Sequence, residues 1–218
     1  MLPRGAGPVN APAFRGERFR VESAPAVTTL SVPPVTQDEP GMGLLQVWPL
    51  EPSAALLERL LRDLFENHWR SITFGPLIQG SAWEIQAAAA PRRIGMLDGY
   101  LTVDLGQWHF HLCIGEHRGS ASNPTPPALA RHRRTKRAEL YRRVNADGAP
   151  DSWGLRLLNG HDEQQLTVLL PNPFLGDHHE YLAVPDWSRL ALWDHIRKEY
   201  LGLPPDPFDR TGTRFIHA

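Results

Sequence analysis

The chain has 218 residues, with 23 Lys+Arg against 24 Asp+Glu and a formal net charge of −1. That is the size of one domain, without the charge excess of a surface built wholly for nucleic acid. Hydrophobic residues at 41% suffice for a core, and the lone Cys113 excludes an internal disulfide. No apolar run has the length of a membrane span, and a cytoplasmic location is the expectation.

Residues 1–44 hold seven prolines and few periodic apolar positions, and read as an irregular, Pro-rich leader. Its arginines fit an organelle transit peptide, but a poorly packed extension, or a start upstream of a true one at Met42, is the preferred reading. Its removal through residue 40 is expected to leave the melting temperature nearly unchanged.

Residues 45–218 read as a single α+β domain. Ser53 can cap a helix with the apolar stripe Leu56, Leu57, Leu60, Leu61, Leu64 and Phe65. Ser81 to Ala87 alternates as a strand, with Glu84 on its polar face, and two further strands flank Asp98-Gly99. Thr125-Pro126 opens a predicted helix running to about Val144. A hairpin follows around Asn159-Gly160, then a last helix capped by Asp186 and ended by Gly202, then a loop-like tail. The order predicts a mainly antiparallel sheet with three helices packed against it.

The run from Trp108 to Ile114 divides by parity. Side chains alternate across a strand, so Trp108, Phe110, Leu112 and Ile114 form a core face, and His109, His111 and Cys113 line up on the other. Imidazole and thiolate are preferred ligands of zinc, with iron and copper behind it. His117, just past Gly115, can add a ligand. A two-residue turn at Gly106-Gln107 sets the neighbouring strand so that Asp104 faces His109, Thr102 faces His111 and Tyr100 faces Cys113. Asp104 then ligates or supports an imidazole from behind, and Glu84 is a further supporting carboxylate. The alternatives are the half-exposed face of an edge strand with a small core cysteine, or a Cys113 nucleophile with a histidine base.

Between Arg131 and Arg143 seven basic residues face Glu139 alone. With Arg118, the side chains of Arg131, Arg134 and Arg137 are candidates to clamp an anionic small molecule, nucleic acid being the weaker choice. The other reading is a solvated helix face.

The runs Gly99-Tyr100-Leu101-Thr102-Val103-Asp104, Trp108 to Gly115 and Pro185-Asp186-Trp187-Ser188-Arg189-Leu190 resemble an uncharacterised bacterial family, a domain of unknown function, over about residues 45–218. The resemblance carries no catalytic residues; it implies metal or tetrapyrrole handling. The expected function is a metal-binding protein, a small metalloenzyme acting on an anionic small molecule, centred on residues 109–113. The alternatives are a non-catalytic haem or metal carrier or sensor, or a partner-binding module without metal.

Overall fold

The computed structural model describes residues 33–78 and 80–216, so residues 1–32 of the expected leader lie outside the described residues. In chain order the strands are β1 (Val35–Glu39), β2 (Gly43–Leu50), β3 (Thr73–Gly75), β4 (Leu77–Ile78), β5 (Ser81–Ala82), β6 (Arg93–Leu97), β7 (Tyr100–Asp104), β8 (His109–Cys113), β9 (Gly119–Ser120), β10 (Asn123–Pro124), β11 (Thr135–Val144), β12 (Pro150–Asn159) and β13 (Gln164–Leu169). The α-helices are α1 (Ala54–Arg62), α2 (Pro127–Arg133) and α3 (Ala191–Leu201). The fold is α+β, and every pairing is antiparallel.

Six strands form the main sheet in the order β1-β2-β11-β12-β13-β3. One face carries Trp48, Leu140, Leu155, Leu157 and Val168, all buried, and packs on Leu57, Leu60 and Leu61 of α1 and Trp193 and Ile196 of α3. Ser53 caps α1 as its sequence predicts, accepting from Leu56 N at 3.4 Å. Asp186 caps a 3-10 turn, Trp187–Leu190, that feeds α3, and Gly202 ends α3 at a left-handed φ of 68°. A second sheet, β6-β7-β8, adds Ile94, Leu101, Val103 and Leu112 to the same core.

The sequence reading is corrected at one edge of the main sheet and at its centre. Residues 35–43, assigned to the leader, form β1 and open β2, with Val35 opposite Val47. The basic helix ends at Arg133: Arg134 turns to φ −68°, ψ 140°, and residues 135–144 run as β11, a central strand. Arginine is unexpected there, but Arg142 is ion-paired with Asp209 at 2.7 Å and Arg143 with Asp151 at 2.8 Å, so both charges are matched. Helix α2 buries no residue, so two long helices cover the sheet and the third lies on the surface.

Candidate metal centre

Helix α1 does not end cleanly. Its last turn widens into a π-helical segment, Asp63–Asn67, and His68 follows in a non-helical conformation. Single π-turns of this kind recur at functional sites because they re-aim side chains from the helix's own spacing. Here Leu64 and Phe65 stay in the core while Asp63 and His68 meet one another at the surface, Nε2 to Oδ1 at 3.7 Å. Helix α3 delivers the third group. His195 Nε2 lies 2.8 Å from Asp63 Oδ2, and its ring centroid is 5.4 Å from that of His68, the planes inclined at 47°.

One ligand atom from each of Asp63, His68 and His195 lies within 4.8 Å of the others. The carboxylate is further held by Asn67 Nδ2 at 2.9 Å and the Tyr200 hydroxyl at 3.0 Å. Burial pushes Asp63 up, but hydrogen bonds from Asn67, His195 and Tyr200 outweigh it and hold the carboxyl below its ordinary value. Burial pushes His68 down, against the pull of Asp63, which favours the neutral imidazole that a metal requires. Burial and the Asp63 carboxylate together raise Tyr200, keeping it a phenol that donates.

His68 and His195 both stand on the wall of a cleft of about 1050 Å³. Its lining includes Arg70, Glu84, His179, Tyr181 and Arg189. Arg189 is paired with Asp177 at 2.8 Å, whereas Arg70 lies over the Trp69 ring, 4.8 Å from its centroid.

The residues singled out from sequence are placed as follows. The predicted register holds in full: Asp104 is opposite His109, Thr102 opposite His111 and Tyr100 opposite Cys113. His109 and His111 are exposed neighbours with ring centroids 4.9 Å apart. Cys113 is on their side by parity but 3% exposed, its Sγ directed at Gly115 O at 3.7 Å, and burial raises its thiol. The strand therefore does not gather His109, His111 and Cys113 into one donor set. Trp108, expected in the core, is 39% exposed.

His117 is engaged elsewhere. Its Nδ1 lies 2.8 Å from Asp98 Oδ2, and its Nε2 receives Thr125 Oγ1 at 2.9 Å and Arg133 Nη1 at 3.2 Å. An arginine can only donate, so Nε2 is the acceptor and Nδ1 carries the proton. Asp104 accepts from Gly106 N at 2.8 Å, fixing the turn that sets the register. Glu84 is exposed on the cleft, remote in the chain from the strand it was expected to support.

Of the four anion candidates, Arg118 pairs with Glu116 at 2.6 Å and Arg137 with Glu139 at 2.9 Å, while Arg131 and Arg134 share a separate pocket. A second group of donors, His132, His161 and Glu163, also converges among the described residues. Its imidazoles are stacked, with centroids 3.6 Å apart and planes at 8°. Lone pairs in parallel planes diverge from any shared point, so the inclined pair at His68 and His195 is the better cation site.

Sequence reasoning missed Asp63, His68 and His195. Asp63 and His68 lie at the end of the α1 stripe, and their partner His195 lies more than a hundred residues away in α3. An Asp-x4-His pair at a helix end was the available signal.

The fold and this donor set define a small α+β protein with an open cleft beside a two-histidine, one-carboxylate cluster. A model described as a family of unknown function, DUF7676, matches residues 34–202, and the chain belongs to that family. None of the curated proteins compared with it matches.

Proposed function

We propose that the protein binds a divalent metal ion with Asp63, His68 and His195, and that the adjoining cleft holds the small molecule on which the metal acts. The observation that carries this reading is the convergence of three ligand atoms at a π-turn, two of them on the wall of a cleft of about 1050 Å³. Two imidazoles and a carboxylate are a zinc set, and equally the facial set of non-haem iron; copper follows. Three protein ligands leave a position for water or substrate, and a bound metal would there polarise a substrate oxygen or lower the pKa of water. Asn67 and Tyr200 are the supporting donors that orient a ligating carboxylate. A pocket of this volume suits a small molecule, and Arg70 and Arg189 on its wall fit an anionic one.

A second reading is favoured by the direct 2.8 Å bond between His195 and Asp63: the cluster is a clamp joining α1 to α3 and needs no metal. Calorimetric titration with zinc separates the two. The metal reading expects tight one-to-one binding, weakened in His68→Ala and in His195→Ala by more than about a hundredfold, beyond the range typical of supporting residues. The double variant His109→Ala/His111→Ala should bind as the parent does. Unchanged affinity in the first two variants, or loss in the double variant, contradicts the assignment.

A further inference from the structure

The basic segment that sequence reading took for one helix is bent by the fold into a pocket. Helix α2 ends at Arg133, the chain turns at Arg134 and enters β11, and the β12–β13 turn packs against this corner. The turn reaches it through Gly160, whose N–H donates to His132 O at 2.9 Å. A Cβ there would sit 2.1 Å from Arg131 O, so only glycine allows the approach. The result is a concavity of about 530 Å³ lined by Arg131, Arg134, Lys136, His132 and His161, with Pro52 at the entry to α1 closing one side.

The charges divide into matched and unmatched ones. Lys136 is 3.3 Å from Asp162, and Glu163 is taken by His132 at 2.8 Å and Asn159 at 2.7 Å. Glu116, which feels Arg134 through space, is held by Arg118 at 2.6 Å. The neighbouring arginines Arg133, Arg137, Arg142 and Arg143 all have side-chain hydrogen-bond partners. Arg131 and Arg134 are different: among the described residues neither guanidinium has an ion pair or a side-chain hydrogen bond. Two uncommitted forks lining one pocket, with a lysine beside them, are the donor types that hold a tetrahedral oxyanion at several oxygens.

We propose that this pocket is a binding site for a phosphoryl-bearing small molecule, independent of the metal centre. The guanidiniums of Arg131 and Arg134 grip the phosphoryl oxygens, Lys136 supplies a third donor, and the stacked rings of His132 and His161 form a flat wall for the rest of the ligand. The volume is that of a small-molecule pocket, not of a groove following a polymer.

The test is isothermal titration of the full chain with pyrophosphate, and with inorganic phosphate, at fixed ionic strength. Saturable one-to-one binding is expected. It should weaken at least about tenfold in Arg131→Ala/Arg134→Ala, a variant whose melting temperature should match the parent because both side chains are exposed. Arg131→Lys/Arg134→Lys keeps the charge but not the fork, and should still lose several-fold. His195→Ala should bind pyrophosphate normally, which separates this site from the metal centre. Binding that does not saturate, an unchanged affinity in either double variant, or preference for a single-stranded oligonucleotide that strengthens with its length would each overturn the proposal.

Discussion

Asp209 is fully buried and carries a charge that four side chains share. Arg142 reaches Oδ1 at 2.7 Å and Trp153 Nε1 at 2.9 Å; Trp193 Nε1 reaches Oδ2 at 2.7 Å, with Arg197 at 3.5 Å. Buried carboxylates persist only when so matched, and removing one partner strands the others. Asp209→Ala should therefore cost about 3–5 kcal/mol in urea unfolding, much more than a surface substitution. Arg156 is the counterpart on the other face of the sheet: 4% exposed, held by Glu139 at 2.6 Å and Glu39 at 2.6 Å. The hydrogen bond from Arg156 holds Glu39 below its ordinary value against the opposing effect of burial. A carboxylate with a lowered folded pKa stabilises the protein above its unfolded value, here about 4.5, and loses that contribution as pH falls through the lower folded value. Glu39→Gln should then be less stable than the parent at neutral pH, and the gap should close below about pH 4.5. Unfolding curves across that range measure it.

At the scale of elements, what was legible in the sequence was local. The Gly106-Gln107 turn fixes the β7–β8 register, and the Asp98-Gly99 turn joins β6 to β7, with Asp98 and Gly99 both at positive φ. The stripes of α1 and α3 were equally plain, because an apolar face repeating every three or four residues has one stable burial. Strand β11 was hidden for the opposite reason. In sequence, Glu139, Arg142 and Arg143 are the charged residues of a solvated face, and only partners on other elements, Arg156 and Asp151 on β12 and Asp209 in the tail, match them inside the fold. The π-turn was hidden too: Leu64 and Phe65 continue the apolar stripe into the core, and nothing in that spacing marks the widening at Asp63. Edge strand β1 was mistaken for leader because its residues are half polar, and it is held by its ladder to β2 and by the ion pair of Glu39 with Arg156. Two strands separate β1 from β12 in the sheet, yet Glu39 reaches Arg156 at 2.6 Å. A chain starting at Met42 would lack β1 and Glu39. It should melt well below the full chain, by the equivalent of about 3 kcal/mol, where the sequence alone predicts a nearly unchanged melting temperature on removal of residues 1–40. Equal melting temperatures would show that β1 adds nothing.

Across the whole molecule, the family match ends at residue 202, yet the structural lock lies beyond it. The tail supplies Leu203 and Phe215 to the core and its margin, Asp206 and Asp209 to Arg142, and the Ile216 carbonyl to Arg143. Truncation after Gly202 would leave Arg142 and Arg197 buried without Asp209, and two indole N–H groups without an acceptor. Such a chain should not fold cooperatively; a sharp thermal transition near that of the parent would contradict this.

The tail and both layers together hold α1 against α3, and that docking brings His195 to Asp63 and His68. The proposed metal would sit at that junction. Anomalous diffraction at the zinc edge, from crystals of the full chain grown with zinc, locates the ion directly. A peak is expected about 2.1 Å from a nitrogen of His68 and of His195 and from an oxygen of Asp63. A peak at His109 and His111, at His132 and His161, or at no histidine would contradict it.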